Sequence, residues 1–133
     1  MGINRSMPPA TIIPELPYSN VREAVTWLCS AFGFRERLQI GNHRAQLQLG
    51  DGSLVVIQGS EPIPSYSVMV RVEDADSHYR TALTNGAQIT SAPADFPYGE
   101  RQYTAKDVAG HHWTFSQTIA DVDPSTWGGR LFE

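Results

Sequence analysis

The chain has 133 residues, 41% apolar and 18% charged, which suffices for one packed domain and argues against a disordered tail. Ten Lys and Arg against 14 Asp and Glu leave a formal charge of -4, so the basic field that nucleic-acid binding relies on is missing. No apolar run approaches the ~20 residues of a membrane span, no signal-peptide core follows Met1, and one cysteine permits neither an internal disulfide nor a Cys-rich zinc site. The expectation is a cytoplasmic single-domain protein with no membrane or nucleic-acid partner.

Residues 1–10 are polar and carry prolines, a loose lead-in. Thr11–Tyr18 is extended, and Pro14 and Pro17 demote it to an edge. Asn20 then starts a helix, with Glu23 completing a capping-box-like pair. Val21, Ala24, Val25, Leu28, Ala31 and Phe32 recur at helical spacing, and Gly33 supplies the stop. Cys29, within this helix, reads as a small hydrophobe rather than a nucleophile.

Phe34–Ile40, His43–Leu49 and Ser53–Gln58 read as strands. A three-residue loop, Gly50-Asp51-Gly52, would pair Leu49 with Ser53 and Leu47 with Val55. That register places Leu47, Leu49, Val55 and Ile57 on one face and Gln46, Gln48, Val56 and Gln58 on the other. Glu61–Ser65 is a linker by composition.

The pattern then restarts. Ser67–Val72 is a strand with Val68, Val70 and Val72 on one face, and Asp74 caps a helix with an Ala75, Tyr79, Ala82, Leu83 stripe that stops at Asn85-Gly86. Ala87–Ser91, Gln102–Lys106 and His111–Ser116 follow as strands, with a turn at Asp107–Gly110. The chain is thus an internal repeat, residues 11–60 and 66–117, with extra length in the loop Ala92–Gly99 and an aperiodic tail, 118–133.

Two strand-helix-strand-strand-strand modules, Ala31-Phe32-Gly33-Phe34, and the run Tyr98-Gly99-Glu100-Arg101 with Asp107-Val108-Ala109-Gly110-His111-His112-Trp113-Thr114-Phe115 resemble the vicinal oxygen chelate superfamily. That superfamily includes glyoxalases, bleomycin-resistance proteins and dioxygenases, and the small bleomycin-resistance-type branch is the nearest likeness. The resemblance implies an α+β fold. Its two tandem βαβββ modules form a curved eight-stranded sheet around a cavity, with helices on the convex face. In metal-using members the cavity holds four ligands, whose positions fall here at Ile13, Val56, Ser67 and Thr114. None carries imidazole, thiolate or carboxylate, so metal-dependent chemistry is not expected and no cofactor is implied.

With Lys106 paired to His111 across the second turn, Tyr103 faces Thr114, Arg101 faces Ser116 and Ala105 faces His112. If Thr114 turns into the cavity, as the resemblance implies, these residues line it and Trp113 and Phe115 enter the core. Alternation adds Glu15, Met69 and Arg71, together with Gln46, Gln48, Val56 and Gln58 from the first hairpin. Arg71 and Arg101 suit an anionic ligand group or an ion pair with Glu15 or Glu100, and Tyr98, Tyr103 and Trp127 could stack on a ring. Such a wall is that of a small-molecule site. Two functions stay open: a metal-independent binding protein that sequesters a drug-like or metabolite ligand, and a metal-independent isomerase, epimerase or lyase with Glu15 or His112 as general base. A homodimer is expected, with Trp127 and Phe132 packing on the partner.

Overall fold

Eight strands and two α-helices alternate in the computed structural model, which describes residues 4–60 and 66–131. The expected linker and Phe132 lie outside those residues. In chain order the elements are β1 (Glu15–Tyr18), α1 (Val21–Phe32), β2 (Arg35–Ile40), β3 (Arg44–Leu49), β4 (Gly52–Gln58), β5 (Val68–Arg71), α2 (Ala75–Thr84), β6 (Gln88–Phe96), β7 (Glu100–Lys106) and β8 (His112–Thr118). A short 3-10 helix, Pro124–Trp127, ends the described tail. The strands form two four-stranded sheets with matching order, β1-β4-β3-β2 and β5-β8-β7-β6. The repeat read from the sequence is therefore a structural repeat. One compact unit holds the first sheet, α1 and the turn Val108–His111; the other holds the second sheet, α2 and the tail.

In the first unit the Asn20 side chain accepts from the Glu23 amide, and Gly33 closes the helix at φ +84°, a conformation that glycine adopts without a Cβ clash. The six apolar positions expected on α1 are all buried, and each contributes about 1.5–3 kcal/mol if it is one of the larger side chains. Arg22 of α1 grips Glu36 of β2 at 2.7 Å. Glu36 pairs with Leu47 and Leu47 with Leu54, which identifies the helix-covered face of this sheet. Gln46 and Val55, paired with each other, lie on the opposite, open face.

This register corrects the expected hairpin. Leu49 pairs with Gly52 rather than Ser53, because Gly50 at φ +56° makes a two-residue turn. Gln46 and Gln48 stay on the open face, joined by Val55 and Ile57, whereas Val56 and Gln58 move to the helix side.

In the second unit Asp74 accepts from the Ser77 amide and caps α2. Leu83 does not join the apolar stripe: it is 50% exposed, and His78 packs instead on Phe115, with ring centroids 4.2 Å apart. Trp113 and Phe115 are fully buried, as expected. The segment expected as a loop at Ala92–Gly99 extends β6 to Phe96, an edge strand with two register shifts, the second of which spans Pro93.

The second hairpin departs in the opposite direction, with a turn one residue longer than expected. Lys106 pairs with His112, so Tyr103 lies opposite Phe115, Thr104 opposite Thr114, and Gln102 opposite Ser116. His111 leaves the ladder: its ring is fully buried against Tyr18 at 4.7 Å, with Nε2 2.7 Å from the Pro17 carbonyl. Asp107 is held by the Trp113 indole N–H at 3.0 Å. Anchoring both ends of the turn adds the residue that shifts β7 by one.

Candidate functional site

Two contacts identify the helix-covered face of the second sheet. Gln117 of β8 accepts from the Ala75 amide at the start of α2, at 2.8 Å, and Arg101, paired with Gln117, binds Asp76 of α2 at 3.0 Å. By alternation Tyr103, Ala105, Trp113 and Phe115 share that side. Tyr103 and Arg101, expected to line the cavity, therefore lie on the helix side. Tyr103 is fully buried, stacked on Phe115 at 5.1 Å, with its hydroxyl 2.5 Å from His78 Nδ1. Burial holds its phenol above the ordinary tyrosine range. Arg101 is taken up by Asp76 and by Asp95 at 2.9 Å.

The open face carries the residues one place along: Glu100, Gln102 and Thr104 from β7, and His112, Thr114, Ser116 and Thr118 from β8. Ser116 is 4% exposed and Gln102 9%, so both need partners, and they find them in one directed chain. The Tyr98 hydroxyl donates to Gln102 Oε1 at 3.0 Å, Gln102 Nε2 to Ser116 Oγ at 2.9 Å, and the Ser116 hydroxyl to Glu100 Oε1 at 2.6 Å. The chain runs to a carboxylate, so its last link is charge-assisted and the two neutral links before it are polarised toward it.

Aromatic rings frame this network. Phe96, paired with Glu100 and so on the same face, stacks on Tyr98 at 5.6 Å, and Trp127 meets Tyr98 edge-on at 5.6 Å. Phe96 and Trp127 keep 38% and 47% of their surface exposed, leaving apolar ring area for a ligand. The tail reaches Tyr98 because Gly99 lets it close in: Ile119 donates to the Gly99 carbonyl at 2.9 Å, and a Cβ on Gly99 would lie 2.4 Å from the Ala120 carbonyl oxygen. On the far edge Met69 is 63% exposed and Arg71 donates to the Thr118 hydroxyl at 2.7 Å.

Tyr98 and Trp127, expected to stack on a ring, meet each other edge-on, and His112, Thr114, Met69 and Arg71 lie on the open face that alternation gave them. Gln102 and Phe96 were not assigned to the site. A one-residue shift of β7 and an edge strand read as a loop hid them.

The remaining sequence-derived candidates sit in the first unit. On its open face Glu15 pairs with Arg44 at 3.0 Å, Gln48 accepts from Arg35 at 3.3 Å, and Gln46, 4% exposed, is bound by Arg37. Gln58 turns to the Ser19 carbonyl at the start of α1. Glu15 is thus an ion-pair partner, and only His112 of the two acid–base candidates shares a face with the network above. Cys29 is half-buried, and burial pushes its thiol up, away from the nucleophilic thiolate.

A divalent transition metal finds no suitable donors at the expected positions. The Ser67 and Thr114 hydroxyls bond each other at 2.9 Å, Ile13 offers none, and neither Val56 nor its neighbour Val55 does. Among the described residues no three His, Cys, Asp or Glu side chains gather as a ligand group.

Residues 10–115 match the family model described as Glyoxalase/Bleomycin resistance protein/Dioxygenase superfamily. TioX from Micromonospora sp. ML1 is 34% identical and superposes with a TM-score of 0.72, covering 81% of this chain and 98% of its own. A glyoxalase/bleomycin resistance protein from Streptomyces sp. CB03234 shares the fold, with a TM-score of 0.67 at 24% identity, over 79% of this chain and 97% of that one. Among curated proteins, uncharacterized protein Mb0911c of Mycobacterium bovis is 31% identical over 65 residues, 49% of this chain. The match spans only 41% of that relative's length.

Proposed function

Because the chain belongs to the Glyoxalase/Bleomycin resistance protein/Dioxygenase superfamily, we propose that it binds a small molecule on the open face of its second sheet, without a metal ion. One observation carries this reading. The Tyr98–Gln102–Ser116–Glu100 chain, buried at Gln102 and Ser116, lies beside the partly exposed rings of Phe96 and Trp127. A few directional polar groups beside apolar area are what a small ligand needs for orientation and affinity. The rings favour a ligand with a flat apolar portion, and Glu100 favours a donor or cationic group on it. Sequestration rather than turnover follows from the same chemistry. Glu15 is held by Arg44, and the network ends on a carboxylate rather than on donors that would steady a developing oxyanion. Metal independence rests on the hydroxyl and aliphatic donor set described above. The protein acts as a homodimer, whose interface covers exposed sheet edges.

The test is native mass spectrometry and elemental analysis of protein purified without chelator, for wild type, Trp127→Ala, Gln102→Leu and Arg101→Ala. A co-purified small molecule should be retained by wild type and Arg101→Ala. It should be lost or weakened about 3–10-fold by Trp127→Ala, the value of one aromatic contact. One equivalent of zinc, nickel or iron, or a ligand held equally by Trp127→Ala and Gln102→Leu, would overturn the proposal.

A further inference from the structure

Residues 4–10 of the polar lead-in, expected to be loose, are instead fastened to the first sheet. Asn4 starts a turn, accepting from the Ser6 amide through Oδ1 at 3.0 Å and from the Met7 amide through its carbonyl at 3.1 Å. The next two carbonyls are then read in succession by side chains of the sheet. Arg37 Nη2 donates to the Arg5 carbonyl and Gln46 Nε2 to the Ser6 carbonyl, both at 2.9 Å. Arg37 and Gln46 are themselves joined at 2.5 Å, so the pair forms one rigid reader on the open face. Pro8 is buried, and the Pro14 carbonyl accepts from Val55 where the segment runs into β1.

Two further features mark this face as more than a tether. Ser53, on the same face as Gln46 and Gln48 and 9% exposed, has the buried hydroxyl that finds no partner among the described residues. A native fold seldom leaves such a group unbonded unless something else satisfies it. A cleft of about 520 Å³, lined by Asn4, Arg5, Ser6 and Leu38, remains beside the segment, so it touches the sheet at points and does not seal it.

We propose that the open face of the first sheet is a binding site for a peptide turn, read at the consecutive carbonyls of its two central residues by Arg37 and Gln46, and that residues 4–10 of the chain itself occupy it in cis. Recognition through backbone carbonyls rather than side chains makes the site tolerant of sequence and selective for amide-rich chains. A competing peptide reaches the site by displacing the segment, and its apparent affinity is reduced by the fraction of time the segment is bound.

Two measurements on the full-length protein test this. Trypsin cleavage after Arg5 should be about tenfold faster in Gln46→Leu than in wild type, because cleavage tracks the open population once one reader bond is gone. A fluorescently labelled synthetic peptide of residues 4–12 supplies the second readout, by anisotropy. It should bind Pro8→Gly, whose own segment is loosened, about tenfold more tightly than wild type, and should fail to bind Gln46→Leu. If Gln46→Leu melts early, Arg37→Leu on the half-buried β2 position serves both measurements. Equal cleavage of wild type and variant, equal peptide affinity for all forms, or no binding to Pro8→Gly would each overturn the proposal.

Discussion

Truncating Tyr103 to alanine should destabilise the fold rather than empty a binding site. The ring is fully buried, stacked on Phe115 at 5.1 Å and met edge-on by Tyr79 at 5.5 Å. Removing an aromatic side chain from such a core costs about 3–5 kcal/mol, and the hydroxyl bond to His78 contributes about 1 kcal/mol of that total. For a chain of this size each kcal/mol lowers Tm by roughly 3–5 °C, so Tyr103→Ala should melt about 9–25 °C below wild type. Thr114→Ala, on the neighbouring strand but on the open face, removes one methyl and a hydroxyl whose bond to Ser67 is exposed, and should cost under about 1 kcal/mol. The assay is thermal melting by circular dichroism, with Tyr103→Phe as the intermediate variant that keeps the ring. If Thr114→Ala melts earlier than Tyr103→Ala, the two faces of the second sheet are assigned the wrong way round, and the site built on Gln102 and Ser116 falls with them.

The same residue confers a pH dependence. Burial raises the folded-state pKa of Tyr103 above its unfolded value, so its contribution is present below the unfolded pKa, near 10, and is lost as pH rises beyond it. Wild type should lose stability above pH ~10 more steeply than Tyr103→Phe; parallel curves would refute this. Gly99→Ala should displace the tail, since the new Cβ would meet the Ala120 carbonyl at 2.4 Å from a φ of +83°, and the expected readout is a red-shifted Trp127 emission. Unchanged emission and melting would show that the tail packs otherwise. Light scattering at micromolar concentration should give the mass of two chains, the dimer that would cover the edge strands β2 and β6; a monomer mass would refute the proposed dimer.

What could be read from the sequence was what local chemistry decides. Asn20 and Asp74 cap their helices through the expected side-chain bonds, and the apolar positions of α1 are buried without exception, because a helix carries its period within a single turn. Face assignment in a sheet is less forgiving, since it depends on how many residues a turn consumes. In the first hairpin a positive φ at Gly50 alone completes the turn, and the expected loop was one residue too long. In the second the error ran the other way. His111 is drawn out of the ladder by Tyr18 and the Pro17 carbonyl, partners more than ninety positions away. No pattern in the turn itself announces that. The consequence fell on one strand only. β8 kept His112, Thr114 and Ser116 on the open face, while β7 exchanged Arg101 and Tyr103 for Gln102 and Glu100. The segment at residues 4–10 was illegible for a different reason. It is held at its own carbonyls by Arg37 and Gln46, and backbone carbonyls are the same in every sequence. A site that reads side chains leaves a signature in its occupant. One that reads backbone leaves it only in the reader, here an arginine and a glutamine nine residues apart on neighbouring strands.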